Sequence, residues 1–388
     1  MVEIKEALEI IRSQSVQLDS EVVSLKDSLD RVLAEDLKAG FDLPVFDNSA
    51  MDGYALGGLQ QEYKIVGEVA AGDSQEFILK KGEAVRIFTG AKVPEGSSAV
   101  IMQEKTEVKE NLLILKELPE EGQCIRKKGE ELNKDELVFS KSYQITAAGI
   151  GMLGSLGLHK IKVFKKPIIQ LITTGNELVA PGESLQAGQI YESNSGTIEA
   201  AFKSKGFSSS ASIQIEDDFE LIKTGISEAL ENTEVLILSG GISVGDYDFV
   251  KQALEENGVE ELFYKVKQKP GKPLYFGRKG NQFVFALPGN PASSLSCFYI
   301  YVLPLLQKLS GLPGKGLLEL NLPVSKDFEN KGDRPVFLKA NIDNNSVEIL
   351  NAQGSSMIGS MAKGNALAYV DAFEKIEKGS LIKTFLIS

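Results

Sequence analysis

Three apolar runs constrain this chain more than anything else in it: Pro167 to Thr173, Val235 to Leu238 and Val284 to Leu287. Each has the length of a buried strand, and each breaks off into glycine with threonine, serine, asparagine or an acid. The first is followed by Thr174-Gly175-Asn176-Glu177 and the third by Pro288-Gly289-Asn290-Pro291. The second runs into Ser239-Gly240-Gly241-Ile242-Ser243-Val244-Gly245-Asp246-Tyr247-Asp248. Helical patterns lie between them. Asn194 or Ser195 caps a helix that ends at Gly206, and Asp217 or Asp218 caps one over 219–231. Strand–helix alternation across 165–310 predicts a mostly parallel sheet covered on both faces. Ligands of such sheets sit just past the carboxyl ends of the strands, which is where all three breaks fall.

The residue types at those breaks suit a phosphorylated ligand. Gly240, Gly241 and Gly245 let main-chain N–H groups approach an anion, while Ser239 and Ser243 add hydroxyls. Asp246 and Asp248 place two carboxylates at the mouth of the next helix, as a divalent cation bridging to phosphate would require. Lys269-Pro270-Gly271-Lys272-Pro273 holds two lysines on a proline-stiffened turn. Read alone, the 239–248 loop fits a solvated turn with a helix cap equally well.

Composition excludes other classes. The chain has 388 residues, enough for two to four domains, with 43% hydrophobic and 25% charged residues, as in a globular protein. Its 54 acids against 42 bases give a net charge of −12, which argues against nucleic-acid partners and anionic membrane surfaces. Cys124 and Cys297 are too far apart for a zinc motif and suit a reducing compartment; both read as small buried hydrophobes. The lack of an apolar leader or long apolar run adds to the expectation of a cytoplasmic protein. His159, the single histidine, reads as a surface residue, so any acid–base group is expected to be a carboxylate or lysine.

In chain order, 3–12 and 24–37 read as helices. Ser24 with Asp27 suggests a capping box in the second, and Leu25, Leu29, Val32 and Leu33 an apolar stripe. Short strands follow over Tyr63–Val69, Ala84–Phe88, Ala99–Gln103 and Leu112–Leu115, a small β module whose polar loop Asp47–Tyr54 is free to reach a ligand. Gly149-Ile150-Gly151-Met152-Leu153-Gly154 fits the dinucleotide fingerprint, but it lies on a helix before a strand, the reverse of the required order. A glycine-rich helix packed closely on a neighbour accounts for it better. After Pro313, short strands return over 318–324, 335–341, 346–350, 366–370 and 381–386.

Taken together, TTGNEL, SGGISVGDYD, KPGKP and LPGNP, with Phe46 to Ala55 and Phe88 to Pro94, resemble the molybdopterin molybdenumtransferases, the MoeA family to which the gephyrin E domain is related. The matches run from about residue 40 to 360. The resemblance implies an α/β and β multidomain fold: a three-layer α/β molybdopterin-binding domain (166–311), an inserted β module (46–135), a helical/linker N-terminal domain (1–45 with 136–165) and a C-terminal β domain (312–388). It implies that molybdenum from molybdate is inserted into adenylylated molybdopterin, with Mg²⁺-dependent cleavage of the phosphoanhydride and release of AMP.

Carried onto this chain, the catalytic group would be Asp52, Thr89, Glu177, Lys269 and Lys272, with Glu177, Asp246 and Asp248 holding Mg²⁺. Thr174, Gly175, Ser239, Gly240, Gly241, Ser243, Gly245, Pro288, Gly289, Asn290 and Ser293 would bind the pterin phosphate, and Arg334 and Ser355 an oxyanion, with Ser356 next to the latter. Asp52 and Thr89 would come from the neighbouring subunit of a homodimer. A molybdopterin adenylyltransferase and molybdoenzyme maturation proteins would be its partners. Two positions depart from the family pattern: Asn176 stands where aspartate is common, and Glu131 where a shorter acid is usual. Two rivals are a molybdopterin adenylyltransferase, which a single α/β domain would serve, and a non-catalytic scaffold, which favours disordered insertions absent here.

Overall fold

The computed structural model describes residues 1–14, 16–242 and 249–387. The chain forms two compact units, one of residues 1–22, 30–34 and 162–388, the other of 23–29 and 35–161.

The first unit opens with α1 (Ile4–Ser13), as expected, burying Ala7 and Ile11. The helix expected over 24–37 does not form. A single 3₁₀ turn, Leu25–Asp27, stands there, with Ser24 Oγ donating to Asp27 Oδ2 at 2.6 Å. Asp30 then takes a left-handed φ of 60°, which an α-helix cannot contain. Val32 and Leu33 are buried by pairing instead: Phe164 N donates to the Val32 carbonyl and Ala34 N to that of Lys162, while Leu29 stays exposed. Helical spacing of apolar residues lost to strand hydrogen bonds.

The second unit is built on a six-stranded sheet of β1 (Gly53–Gly57), β2 (Glu62–Val69), β3 (Glu83–Ile87), β4 (Ser97–Met102), β5 (Thr106–Lys109) and β6 (Leu112–Leu115), in the order β4-β1-β3-β2-β6-β5. Four of these match the expected strands. Two were not foreseen, β5 at one edge and β1 in the interior of the sheet. The first residue of β1 must be glycine, because a Cβ on Gly53 would lie 1.8 Å from the Ile101 carbonyl oxygen of β4. The fingerprint-like glycines lie on α2 (Ala147–Ser155), capped by Thr146. Only at Gly149 would a Cβ crowd a neighbour, 3.0 Å from the Tyr143 hydroxyl; one on Gly151 would meet nothing within 4 Å and one on Gly154 only Leu25, at 3.8 Å. Close packing explains one glycine of the three. His159 is exposed, and Cys124 is only half-buried.

The α/β part of the first unit comprises β7 (Ile169–Thr174), α3 (Asn194–Ser204), β8 (Ile213–Ile215), α4 (Phe219–Asn232), β9 (Val235–Ser239), α5 (Phe249–Glu256), β10 (Glu260–Tyr264), β11 (Tyr275–Lys279), β12 (Gln282–Leu287) and α6 (Pro291–Cys297), which continues through a π turn into α7 (Leu303–Leu309). Strand order is β8-β7-β9-β12-β11-β10, with β8, β7, β9 and β12 parallel and the last two antiparallel. Alternation along β9 fills both faces: Val235 and Ile237 join a core with α1, α3, α6 and α7, while Leu236 and Leu238 pack with α4 and α5. All four are fully buried, each worth roughly 1.5–3 kcal/mol against exposure. After β7 the chain moves outward to β8, then returns to the other side of β7 as β9. That reversal opens a crevice at the carboxyl ends of β7 and β9.

The remainder is an antiparallel sheet of β13 (Leu318–Pro323), β14 (Val336–Asp343), β15 (Ser346–Ile349), β16 (Ala366–Val370) and β17 (Leu381–Leu386), ordered β13-β17-β16-β14-β15, with α8 (Ile358–Lys363) before β16.

Candidate active site

The crevice holds a cavity of about 660 Å³ lined by the expected Thr174, Gly175, Glu177, Ser239, Gly240, Gly241, Gly289 and Asn290. The register explains the convergence: Thr173 pairs with Ser239, and Ser239 with Leu287, so all three breaks emerge at one level. Gly241 has a φ of 63°, and a Cβ there would lie 2.6 Å from both Thr174 Oγ1 and Val250 Cγ2. Any side chain would fill the cradle. Ser243, Gly245, Asp246 and Asp248 lie outside the described residues. Pro288 is buried behind the loop, and Ser293 N is already spent on the Ser355 carbonyl at 3.3 Å.

Several lining residues carried no expected role. Glu192, 8% exposed, caps α3 in place of Asn194 or Ser195: its carboxylate accepts from Asn194 N at 2.6 Å and Ser195 N at 3.0 Å. Asn194, thus fixed, donates through Nδ2 to Ser239 Oγ (2.9 Å) and the Gly289 carbonyl (2.7 Å), tying β9 to the loop after β12. Asp217 lines the cavity too, while its neighbour Asp218 is the true cap of α4, accepting from Leu221 N. The Asp217 N–H donates to Asn176 Oδ1 at 3.0 Å, so the asparagine that departs from the family pattern has a structural task. Burial first, and then the charge of Glu177, push the Asp217 carboxyl above the ordinary carboxylate value. The signal was present in the sequence as a further strand-end acid, masked by its adjacency to a capping aspartate.

Among the described residues, no cationic side chain lines this cavity. The lysines and arginine expected there separate from it. Lys269 and Arg334 line a second cavity of about 370 Å³ with Lys331, Gln353 and the acids Glu329 and Asp333, which lie 3.6 Å from Lys331 and 3.8 Å from Arg334 respectively. The turn that carries Lys269 is bound to the C-terminal sheet: Lys269 N donates to the Pro335 carbonyl and Phe337 N to that of Lys269, both near 2.9 Å. Arg334 Nη1 donates to the Gln268 carbonyl at 3.2 Å. Lys272 lines neither cavity and is half-buried, its carbonyl accepting from Val266 N and Leu274 N. Beneath the turn, Cys297 is fully buried, and that burial pushes its thiol up to about 12, so it behaves as the inert hydrophobe expected. Between the cavities runs the loop 352–357. Ser356 lines the first cavity and Gln353 the second, while Ser355 Oγ accepts from Asn290 Nδ2 at 3.2 Å.

Asp52 and Thr89 belong to the other unit and meet each other there. Asp52 Oδ1 accepts from both Thr89 N and Thr89 Oγ1 at 2.8 Å. Those bonds, the main-chain one foremost, hold the exposed Asp52 carboxyl below its usual value, with the Arg86 charge assisting. It is an ionised group at neutral pH. In the same unit Asp47 is occupied structurally, accepting from Lys128 N and Lys127 Nζ. Glu131 is exposed.

Among the described residues, no three histidine, cysteine or acidic side chains gather as a metal cluster. Glu177 and Asp217 still fit a hard cation as an interacting pair of oxygen donors, one of them with its charge raised in energy by the other. No helix among the described residues is long and apolar enough to cross a membrane.

Comparisons with known proteins agree along the whole chain. Residues 2–157 match the MoeA N-terminal region (domain I and II), 170–308 a probable molybdopterin binding domain, and 321–387 the MoeA C-terminal region (domain IV). A molybdopterin molybdenumtransferase of Haemophilus influenzae is 38% identical over 297 residues, 75% of this chain and 73% of that relative. One from a Nostoc species is 34% identical over 371 residues, 91% of this chain and 85% of the relative. The crystal structure of a molybdopterin biosynthesis MoeA protein from Pyrococcus horikoshii superposes with a TM-score of 0.84 at 29% identity, covering 100% of this chain and 99% of that one. The chain belongs to the molybdopterin molybdenumtransferase family of enzymes, the MoeA proteins.

Proposed function

We propose that this enzyme inserts molybdenum from molybdate into adenylylated molybdopterin, cleaving the phosphoanhydride and releasing AMP. The observation that carries the reading is the division of charge across the site. An acidic, glycine-walled cavity at the strand ends stands beside a cavity where Lys269, Lys331 and Arg334 outnumber Glu329 and Asp333, joined by one serine-bearing loop.

The strand-end loops supply main-chain N–H groups around Gly240, Gly241 and Gly289, together with the Ser239 hydroxyl, for the pterin phosphate. Asn194 keeps two of those loops at fixed separation. Glu177 and Asp217 would hold Mg²⁺, with Asp246 and Asp248 the further ligands expected from sequence. Bound there, the cation supplies charge neutralisation on phosphate oxygens and polarises the bond to be broken. Lys269 and Arg334 face the second cavity, where a tetrahedral oxyanion would find a point charge and a planar donor fork. Asp52, kept ionised by Thr89, is assigned to complete the site from a second copy of the chain in a homodimer. The four-part domain division and a cytoplasmic location belong to the same proposal.

The test is AMP release from adenylylated molybdopterin by the purified enzyme, with and without molybdate and Mg²⁺. Molybdate- and Mg²⁺-dependent release with formation of active cofactor is the expected result. Tight pterin binding without release would replace the transferase by a carrier.

A further inference from the structure

Lys339 lies in β14 between Leu338 and Ala340 and is only 2% exposed, a costly place for an ammonium. Its partners are all carbonyls: Nζ donates to those of Ala352 (3.0 Å), Gly354 (2.8 Å) and Met357 (2.9 Å). An ammonium has three N–H donors, and these acceptors use them all. None is left for a ligand. The main chain repeats the pattern, since Lys339 N donates to Gln353 Oε1 at 2.9 Å and Gln353 Nε2 donates back to the Lys339 carbonyl at 2.8 Å. Five hydrogen bonds from one residue therefore converge on residues 352–357.

Among the described residues, that loop is the one element touching both cavities, through Ser356 in the first and Gln353 in the second. Among the described residues its hydrogen bonds to the α/β domain are those of Ser293 N with the Ser355 carbonyl and of Asn290 with the Ser355 hydroxyl, at 3.3 and 3.2 Å. We propose that Lys339 is a positioning residue: a buried strut that holds the 352–357 loop rigid, and so fixes the spacing between the pterin-phosphate pocket and the oxyanion pocket. The inference rests on the functional reading above for what fills the pockets, but its mechanical half does not. Both ends of a reacting pair must be held in register, and a loop free to wander would lose that pre-organisation.

Two measurements on the full-length enzyme test it. The first is amide hydrogen exchange of Lys339→Met, which keeps the stem and removes the charge. Exchange at residues 353–357 is expected to quicken about tenfold while β14 and β16 stay protected. Unchanged exchange in that loop overturns the proposal whatever the reaction is. The second is a double-mutant cycle with Ser356→Ala on KM and kcat. Each single change should raise the KM for adenylylated molybdopterin about tenfold with kcat held within about twofold. The double variant should be little worse than Lys339→Met alone. Additive effects would make Lys339 a general support of its domain and sink the coupling. If Lys339→Met fails to fold, Ser360→Ala replaces it, because Ser360 Oγ donates to two of the same carbonyls, Ala352 (2.8 Å) and Met357 (3.1 Å). It should loosen the loop in the same sense by about threefold, and no loosening overturns the proposal. No molybdate-dependent turnover in the wild-type enzyme, together with a loosened loop in Lys339→Met, would sink the functional reading and leave the strut standing.

Discussion

The two cavities of the first unit are built by opposite means. The strand-end cavity is made of backbone: glycines with nothing to occupy the space, hydroxyls, and the acids Glu177, Glu192 and Asp217. Its neighbour is made of side chains, with Lys269, Lys331 and Arg334 reaching from a turn and a sheet edge. A backbone cradle tolerates almost no substitution, because its shape is the absence of side chains. A side-chain pocket loses one contact at a time. The electrostatics differ too: the first pocket carries only acids, inviting a cation, while the second sets three cations against Glu329 and Asp333 and keeps an excess of one positive charge for an anion.

The largest effect should therefore come from the backbone cradle. Gly241→Ala places a methyl 2.6 Å from Thr174 Oγ1 at a left-handed φ, and turnover is expected to fall more than about a hundredfold in a folded protein. Near-normal steady-state rates would mean the cradle is not the site. Next, Glu177→Ala removes one of two interacting acids and should cost roughly a hundredfold in kcat, relieved little by added Mg²⁺. In the basic pocket, Arg334→Ala should raise the KM for molybdate about tenfold with kcat nearly unchanged; a fall in kcat alone would break the proposed division of labour.

A pH experiment sharpens the contrast. The Asp217 carboxyl is raised by burial and by Glu177, so its folded value lies above its unfolded one. Such a group costs stability once the pH exceeds the unfolded value, and the cost disappears in acid. Asp217→Asn should accordingly raise Tm at neutral pH while weakening Mg²⁺ binding, and the gain in Tm should vanish as the pH falls below about 4. Calorimetry that finds Mg²⁺ affinity independent of pH in the parent enzyme would remove Asp217 from the ligand set. The smallest effect belongs to Thr89→Ala, which frees Asp52 Oδ1 from its hydroxyl donor but leaves the main-chain one. Its carboxyl should move part of the way back up toward the ordinary value by NMR titration, with a change in turnover of only a few-fold.

The sequence by itself determined the parallel sheet, its three strand-end breaks and the family, because uninterrupted apolar strands and glycine-dependent turns are local facts about the chain. Local periodicity also failed where long-range pairing competed with it: residues 24–37 carry helical spacing but give their hydrogen bonds to strand 160–164 instead. Tertiary structure alone decided that the lysine turn faces a second pocket, since its direction is set by hydrogen bonds to Pro335 and Phe337, 66 or more residues onward. It alone turned Asp217 from a presumed cap into a cavity acid and buried Lys339 beneath the serine loop. A residue's type and spacing record what it is able to do. Which partner it meets is settled only when distant segments pack, because the hydrogen bonds that fix its direction belong to those segments.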